Sequence, residues 1–187
     1  MDGWLIVLFY FTFIGFGWLV FRVFVRRDYQ QRGELSRMSA WLEMLVFIVH
    51  GVLSYLYLDA VFPKMPPLAP RPVLNILAFI LIGLGLLGVI VAMTRLGYGT
   101  TLGQDSGSLR QTGLYAFSRN PQIVFYSLLI IGYGLLWPSW LVLVWVGVYL
   151  IVAHLMVLTE EEYLTTKYGD DYIYYCGQVP RYFLKLS

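Results

Sequence analysis

The stretch IVFYSLLIIGYGLLWPSWLVLVWVGVYLIVAHLMVL, residues 123–158, contains no Asp, Glu, Lys or Arg. An uncharged run of this length belongs in lipid. Its apolar residues are continuous rather than alternating, and hydrocarbon admits only helices or closed barrels, so helices are selected. Trp137-Pro138-Ser139-Trp140 divides the run, and paired tryptophans beside a breaker read as a hairpin turn at a membrane interface. The chain therefore enters and returns. Two polar blocks that are distant in sequence, one before the hairpin and one after it, are brought back to the same membrane face.

The rest of the chain agrees. Of its 187 residues, 59% are hydrophobic and 13% charged, against roughly 25% charged in soluble domains. Apolar runs near 4–25, 41–62, 73–94, 122–137 and 139–158 supply five candidate spans, of which 122–137 is short against the roughly 20 residues a spanning helix needs. The expected fold is an all-α integral membrane bundle of about five transmembrane helices. The first run has Asp2 where a signal peptide would be basic and lacks a small-residue cleavage site, so it reads as a retained helix. Cys176 is the single cysteine, which excludes an internal disulfide and a two-cysteine metal site. No metal and no nucleic-acid partner is expected, and the oligomeric state is left open.

Basic residues set orientation. With the amino terminus outside, Arg22, Arg26, Arg27, Arg32, Arg37, Arg95, Arg110, Arg119, Lys167, Arg181 and Lys185 fall on the cytoplasmic side, with only Lys64 and Arg71 outside. Both polar blocks and the carboxy terminus then face the cytoplasm. The chain divides into a three-helix part, residues 1–93, and a part from 94 to 187 holding the hairpin and tail, within one structural unit. Residues 26–38 read as a basic-acidic loop anchored at headgroups, and the proline-rich segment 62–72 as an outer loop. Gly83-Leu-Gly85-Leu-Leu-Gly88 matches a dinucleotide fingerprint formally but has no preceding strand, so it reads as a close-packing face toward another helix or another copy. From Thr94 to Ser118 the chain is glycine-rich and reads as a mobile loop or lid. The helix beginning at Ser139 meets no breaker before Gly169; at 1.5 Å per residue it reaches ~45 Å, about 15 Å beyond the hydrocarbon core.

The first polar block is Gly113-Leu-Tyr115-Ala-Phe-Ser-Arg119-Asn120-Pro121. Asn120-Pro121 has the form of a helix start, with Asn capping free N–H groups and Pro at the first helical position. Those N–H groups beside Arg119 form an anion site, or Arg119 simply reaches for headgroups. The second block is Glu160-Glu161-Glu162-Tyr163-Leu164, followed by Tyr168-Gly169-Asp-Asp-Tyr172 and Val179-Pro180-Arg181-Tyr182. Paired carboxylates there suit an ammonium and ribose hydroxyls; the alternative is a solvated charge run. Gly169 is placed to cap the long helix in a left-handed conformation. His154 lies nearly two turns before Glu161 on one helix face, and an ionisable residue within a span is by default a site candidate. His50 is assigned no role.

Together these blocks resemble the isoprenylcysteine carboxyl methyltransferase and phospholipid methyltransferase superfamily over residues 94 to 184. The superfamily pattern Gly-x-Tyr-x-x-x-Arg-His/Asn-Pro, hairpin, Glu-Glu-x-x-Leu-x-x-x-Phe/Tyr-Gly-x-x-Tyr and Val-Pro-Arg is met by Gly113, Tyr115, Arg119, Asn120, Pro121, Glu160, Glu161, Leu164, Tyr168, Gly169, Tyr172, Val179, Pro180 and Arg181. The resemblance implies a membrane methyltransferase using S-adenosylmethionine, with a lipophilic or membrane-embedded acceptor. It implies cofactor binding by Arg119, Asn120, Pro121, Glu160 and Glu161, and a pocket wall containing Tyr115 and Tyr172. Arg181 would hold an acceptor carboxylate or thiolate; an amine or thiol would need a base, with His154 or a glutamate available. Ile123 stands where relatives carry an aromatic residue and Asn120 where prenylcysteine enzymes carry His, so carboxylate, thiol and amine acceptors all stay open. A sterol-reductase-type enzyme using a nicotinamide phosphate, and a non-enzymatic membrane module with the same fold, are the competing classes.

Overall fold

A computed structural model describes residues 3–58, 65–96 and 108–183, and every regular element among them is helical. The first rod comprises α1, Gly3–Leu19, a π-helical segment, Val20–Val25, and α2, Arg26–Arg32. The expected end at 25 and the loop from 26 to 38 are thus corrected: helix continues to Arg32, and only a short turn separates it from α3, Arg37–Leu58. Partners beyond the apolar run explain the extension. Glu162 accepts from Arg22 at 2.6 Å and forms an ion pair with Arg26 at 2.8 Å, and Tyr29 stacks on Tyr163 with ring centres 4.2 Å apart. Gly33, at φ 72°, makes the left-handed stop that a side chain resists. Asp28 accepts from the backbone N–H and hydroxyl of Ser36, fastening the turn into α3.

Next come α4, Pro72–Leu96, and a 3₁₀ turn, Gly113–Ala116, followed by α5, Pro121–Leu136, α6, Trp140–Tyr168, and α7, Asp170–Gln178. Four helices are long and apolar enough to cross a membrane: Trp4–Arg32, Arg37–Leu58, Pro72–Thr94 and Trp140–Tyr168. The fifth expected span is α5, whose 16 residues extend only about 24 Å because Pro121 and the Trp137-Pro138 break bound it. Apolar side chains such as Leu84, Leu87, Ile90 and Leu143 stay exposed on these helices. They face hydrocarbon, as a membrane protein requires. The hairpin turn falls where expected, and the Trp137 indole donates to the Pro66 carbonyl at 3.0 Å, tying it to the proline-rich segment.

The centre of the bundle is α6, which touches α1, α2, α3, α5 and α7. Its Trp145 and Tyr149 are among the largest fully buried side chains. His50 on α3 stacks on Trp145 at 4.6 Å, bonds its backbone carbonyl, and accepts the indole N–H on its own carbonyl, so it is a packing element. The glycine motif of α4 does pack internally: α4 lies chiefly on α5, with Gly85 against the backbone of Phe125 and Leu129 and Gly88 against the Phe125 ring. Gly83 faces open space. The long helix ends at Tyr168 as its lack of breakers predicts, and Gly169 adopts a positive φ of 54°. Its ψ of −127° corrects the expected left-handed helical cap: the chain makes a glycine-only bend and starts α7 at once. The expected lid glycines Gly97, Gly99, Gly103 and Gly107 lie outside the described residues.

Candidate functional site

The hairpin brings the first and second polar blocks into contact, and backbone groups do the joining. The Arg119 N–H donates to the Pro180 carbonyl at 3.0 Å, while the Ser118 hydroxyl and the Asn120 amide both donate to the Arg181 carbonyl at 3.2 Å. This corrects the expected cap. The Asn120 side chain leaves the α5 terminus and binds the tail; its backbone carbonyl accepts from Ile123 and Val124 instead. Pro121 does occupy the first helical position and is buried.

A buried carboxylate completes the junction. Glu161 Oε2 accepts from Arg181 Nε at 2.9 Å and Nη2 at 2.7 Å, while Oε1 stands 3.2 Å from Arg119 Nη1 as an ion pair without hydrogen-bond alignment. Those hydrogen bonds, donated to Glu161, raise the affinity of Arg181 for its proton. Arg119 also touches the Cys176 sulfur, and its Nε has no hydrogen-bond partner among the described residues. The three successive glutamates therefore have three separate surroundings. Glu162 ties down the first rod, Glu161 joins two arginines, and Glu160 lines a cavity.

That cavity, about 380 Å³, lies at the end of the bundle where α3 begins and α6 ends. It is in the size range of small-molecule sites, roughly 300–1,000 Å³. Tyr115, Arg119, Asn120, Glu160 and Tyr172, predicted from sequence, all line it. Pro121, Glu161, Arg181 and His154 do not. Glu161 instead holds Arg119 from behind, Arg181 is engaged by Glu161, and His154 Nδ1 is bonded to the Tyr182 hydroxyl at 2.9 Å. The shared helix face of His154 and Glu161 therefore produces no contact between them.

The remaining wall is mostly aromatic and aliphatic, including Tyr29, Phe47, Tyr126, Met156 and Tyr175. Burial pushes the Tyr175 hydroxyl up to about 12 and raises those of Tyr115 and Tyr172 further, so these tyrosines present neutral rings. The Tyr175 hydroxyl donates to the Tyr115 carbonyl at 2.6 Å, locking α7 to the 3₁₀ turn. Sequence reading gave no site role to the charged lining residues Arg110 and Lys167, nor to Glu43 of α3. The signal was present: it is an acid inside the second apolar run, where ionisable groups are by default functional. Tyr29 carried no such signal, because its placement depends on the first rod continuing beyond lipid.

Neutral aromatic faces attract cations, and the carboxyl groups of Glu43 and Glu160 line the same space. Arg119 and the start of α5 supply a positive end to the same space. The site therefore offers complementary places for a small ligand carrying both positive and negative groups. The sequence model for phospholipid methyltransferase matches residues 73–171, from the first turn of α4 into α7. The match begins earlier than the resemblance at 94, because it takes in the helix that packs on α5, and ends before Val179-Pro180-Arg181. No curated protein and no solved structure matches the chain.

Proposed function

The chain belongs to the phospholipid methyltransferase family and is a membrane methyltransferase, and on that premise we propose that S-adenosylmethionine donates the methyl group to a lipophilic acceptor held in the bilayer. The observation that carries this reading is the aromatic-walled cavity with Glu160 at one place and Arg119 at another. These residues fit the cofactor's charges. Glu160 would take its ammonium, Arg119 its carboxylate, and the rings of Tyr115, Tyr126 and Tyr172 would face its sulfonium. The bound cofactor supplies an activated methyl carbon.

The protein's contribution is placement and exclusion of water. Pro121 and Asn120 fix the start of α5 against the tail, Glu161 and Arg181 hold Arg119 toward the cavity, and the α7 tyrosines close the wall. Aligning an acceptor with the methyl carbon converts a bimolecular encounter into an effectively unimolecular one. Arg181 and His154 act in this reading as positioning residues, since both are engaged by protein groups outside the lining. The predominance of basic residues on one side supports an outside amino terminus, with the cavity on the cytoplasmic face where a soluble nucleoside reaches it. An isoprenylcysteine-type acceptor is one member of the acceptor class.

Calorimetry on detergent-purified protein tests the cofactor. The parent is expected to bind S-adenosylmethionine and its demethylated product, and Glu160→Gln and Arg119→Ala are each expected to weaken binding at least tenfold, the scale for removing one partner of a buried charged contact. A folded parent that binds neither compound would reject this reading; reduced nicotinamide phosphate titrated next would distinguish a reductase from a non-enzymatic module.

A further inference from the structure

We propose that the groove between α2 and the end of α6 is a binding site for the phosphate of an anionic phospholipid headgroup, with Arg26 as its principal contact. This groove is separate from the cavity described above, and the inference does not depend on the methyltransferase reading. It encloses about 640 Å³ and is lined at one end by Arg26, Thr159 and Glu162 and at the other by Arg32, Gly33 and Glu34. Its wall is already formed. Tyr29 stacks on Tyr163 with ring centres 4.2 Å apart, and the Tyr163 hydroxyl donates to the Gly33 carbonyl, which fixes α6 against the end of α2. The same two rings line the candidate site, so an occupant of the groove rests on a wall that both spaces share.

Charge at the near end is uneven. Arg22 and Arg26 converge on Glu162, Arg22 through Nη2 at 2.6 Å and Arg26 through Nε at 2.8 Å. One carboxylate offsets one guanidinium, so the two arginines keep a surplus positive charge. Arg22 is the more enclosed, with 19% of its side chain exposed against 44% for Arg26, and its Nη1 donates to the Thr159 hydroxyl at 3.2 Å. Arg26 is therefore the arginine that meets a ligand. It touches Glu162 through Nε, and a planar guanidinium carries further N–H groups that suit phosphate oxygens. The surplus does not rest on the other charges of the lining: Arg32 and Glu34 have opposite signs, and Lys167 lies over the Tyr163 and Tyr168 rings.

Depth selects a lipid. Trp18 on α1 and Trp41 on α3 are exposed at this end of the bundle, and tryptophans so placed on spanning helices mark the membrane interface. Arg22 follows Trp18 by four residues, about 6 Å along the rod, within a headgroup layer about 5–8 Å deep on each face. Because Arg26 meets the same carboxylate as Arg22, the near end of the groove stands at the level of lipid phosphates. The bilayer presents phosphates at that depth at high local concentration, whereas a soluble anion must come to it.

Calorimetry on the full chain in a neutral detergent at low salt tests the site, with dihexanoyl-phosphatidylglycerol, dihexanoyl-phosphatidylcholine and inorganic phosphate titrated separately. The parent is expected to bind the anionic lipid at least about fivefold more tightly than the zwitterionic one, the scale of one basic residue beside an anionic headgroup, and added salt is expected to narrow the ratio. Arg26→Gln should bring the ratio close to one, because Arg22 and Glu162 then balance. Glu162→Gln separates this from a structural effect: it breaks the same ion pair but leaves both arginines, so the ratio should widen. Equal affinities for the two lipids in the parent, a parental ratio in Arg26→Gln, or a ratio lost in Glu162→Gln would each overturn the site. Inorganic phosphate bound as tightly as the anionic lipid would overturn a lipid as its occupant. No methyl donor enters the measurement, so its failure and that of the methyltransferase reading are distinct.

Discussion

Glu161→Gln is expected to lower the melting temperature in detergent by about 6–12 °C and to abolish measurable cofactor binding. The expected stability loss is about 3 kcal/mol, the low end for breaking a buried pair, at roughly 2–4 °C per kcal/mol in a chain of this size. The reason is that Glu161 is 8% exposed and serves two guanidinium groups, those of Arg119 and Arg181. Replacing it with a neutral amide leaves both uncompensated and loosens the link between the start of α5 and the tail. The low end is appropriate because Arg181 keeps 36% of its side chain exposed and can recover water. Glu162→Gln is the internal comparison. It too loses contacts with two arginines, but Glu162 is 42% exposed and Arg26 44%, so the cost should be below about 1 kcal/mol. Arg181→Gln added to Glu161→Gln should cost less than the two single losses together, because the second change removes a charge the first left unpaired. Equal melting temperatures for the Glu161 and Glu162 variants would show that the junction does not hold the site.

The contrast between adjacent glutamates marks what the sequence can and cannot convey. Uninterrupted apolar runs made the helices legible, and the break at Trp137-Pro138 made their return legible, so the meeting of Arg119 with the glutamate block followed from lipid alone. The distribution of roles within Glu160, Glu161 and Glu162 did not follow. Successive helical residues are rotated by about 100°, so three adjacent acids face a cavity, a buried junction and another helix. Which faces which depends on the rotation of α6, and that is set by distant contacts such as Trp145 with His50. Asn120 misled for a related reason: local rules favour its cap, but the nearby Arg181 carbonyl takes its amide. Tyr29 came from the amino-terminal part, where the first rod outran its apolar pattern because Arg22, Arg26 and Tyr29 found partners on α6.

Gly85→Val is expected to cost at least about 2–3 kcal/mol, in the upper part of the range for overpacking, and to abolish cofactor and acceptor binding together. A Cβ at Gly85 would stand 2.6 Å from the Leu129 nitrogen and 2.7 Å from the Phe125 carbonyl oxygen. Both are backbone atoms within α5, so no rotamer change relieves the contact and the two helices must separate. Between helices in lipid, close backbone approach supplies much of the association energy, which raises the cost of separation. The cavity would open with them, since Val89 and Met93 lie one and two turns beyond Gly85 on α4 while Ile123 and Tyr126 lie on α5. The neighbouring glycines predict a graded series. Gly88→Ala meets the Phe125 ring, a side chain that can rotate, so its cost should be smaller. Gly83→Ala meets nothing within 4 Å and should be neutral or slightly stabilising through helix propensity. Thermal unfolding of the three variants, with S-adenosylmethionine binding beside it, checks the order. A Gly85 variant as stable as the Gly83 variant would mean that the α4–α5 contact does not fix the cavity wall.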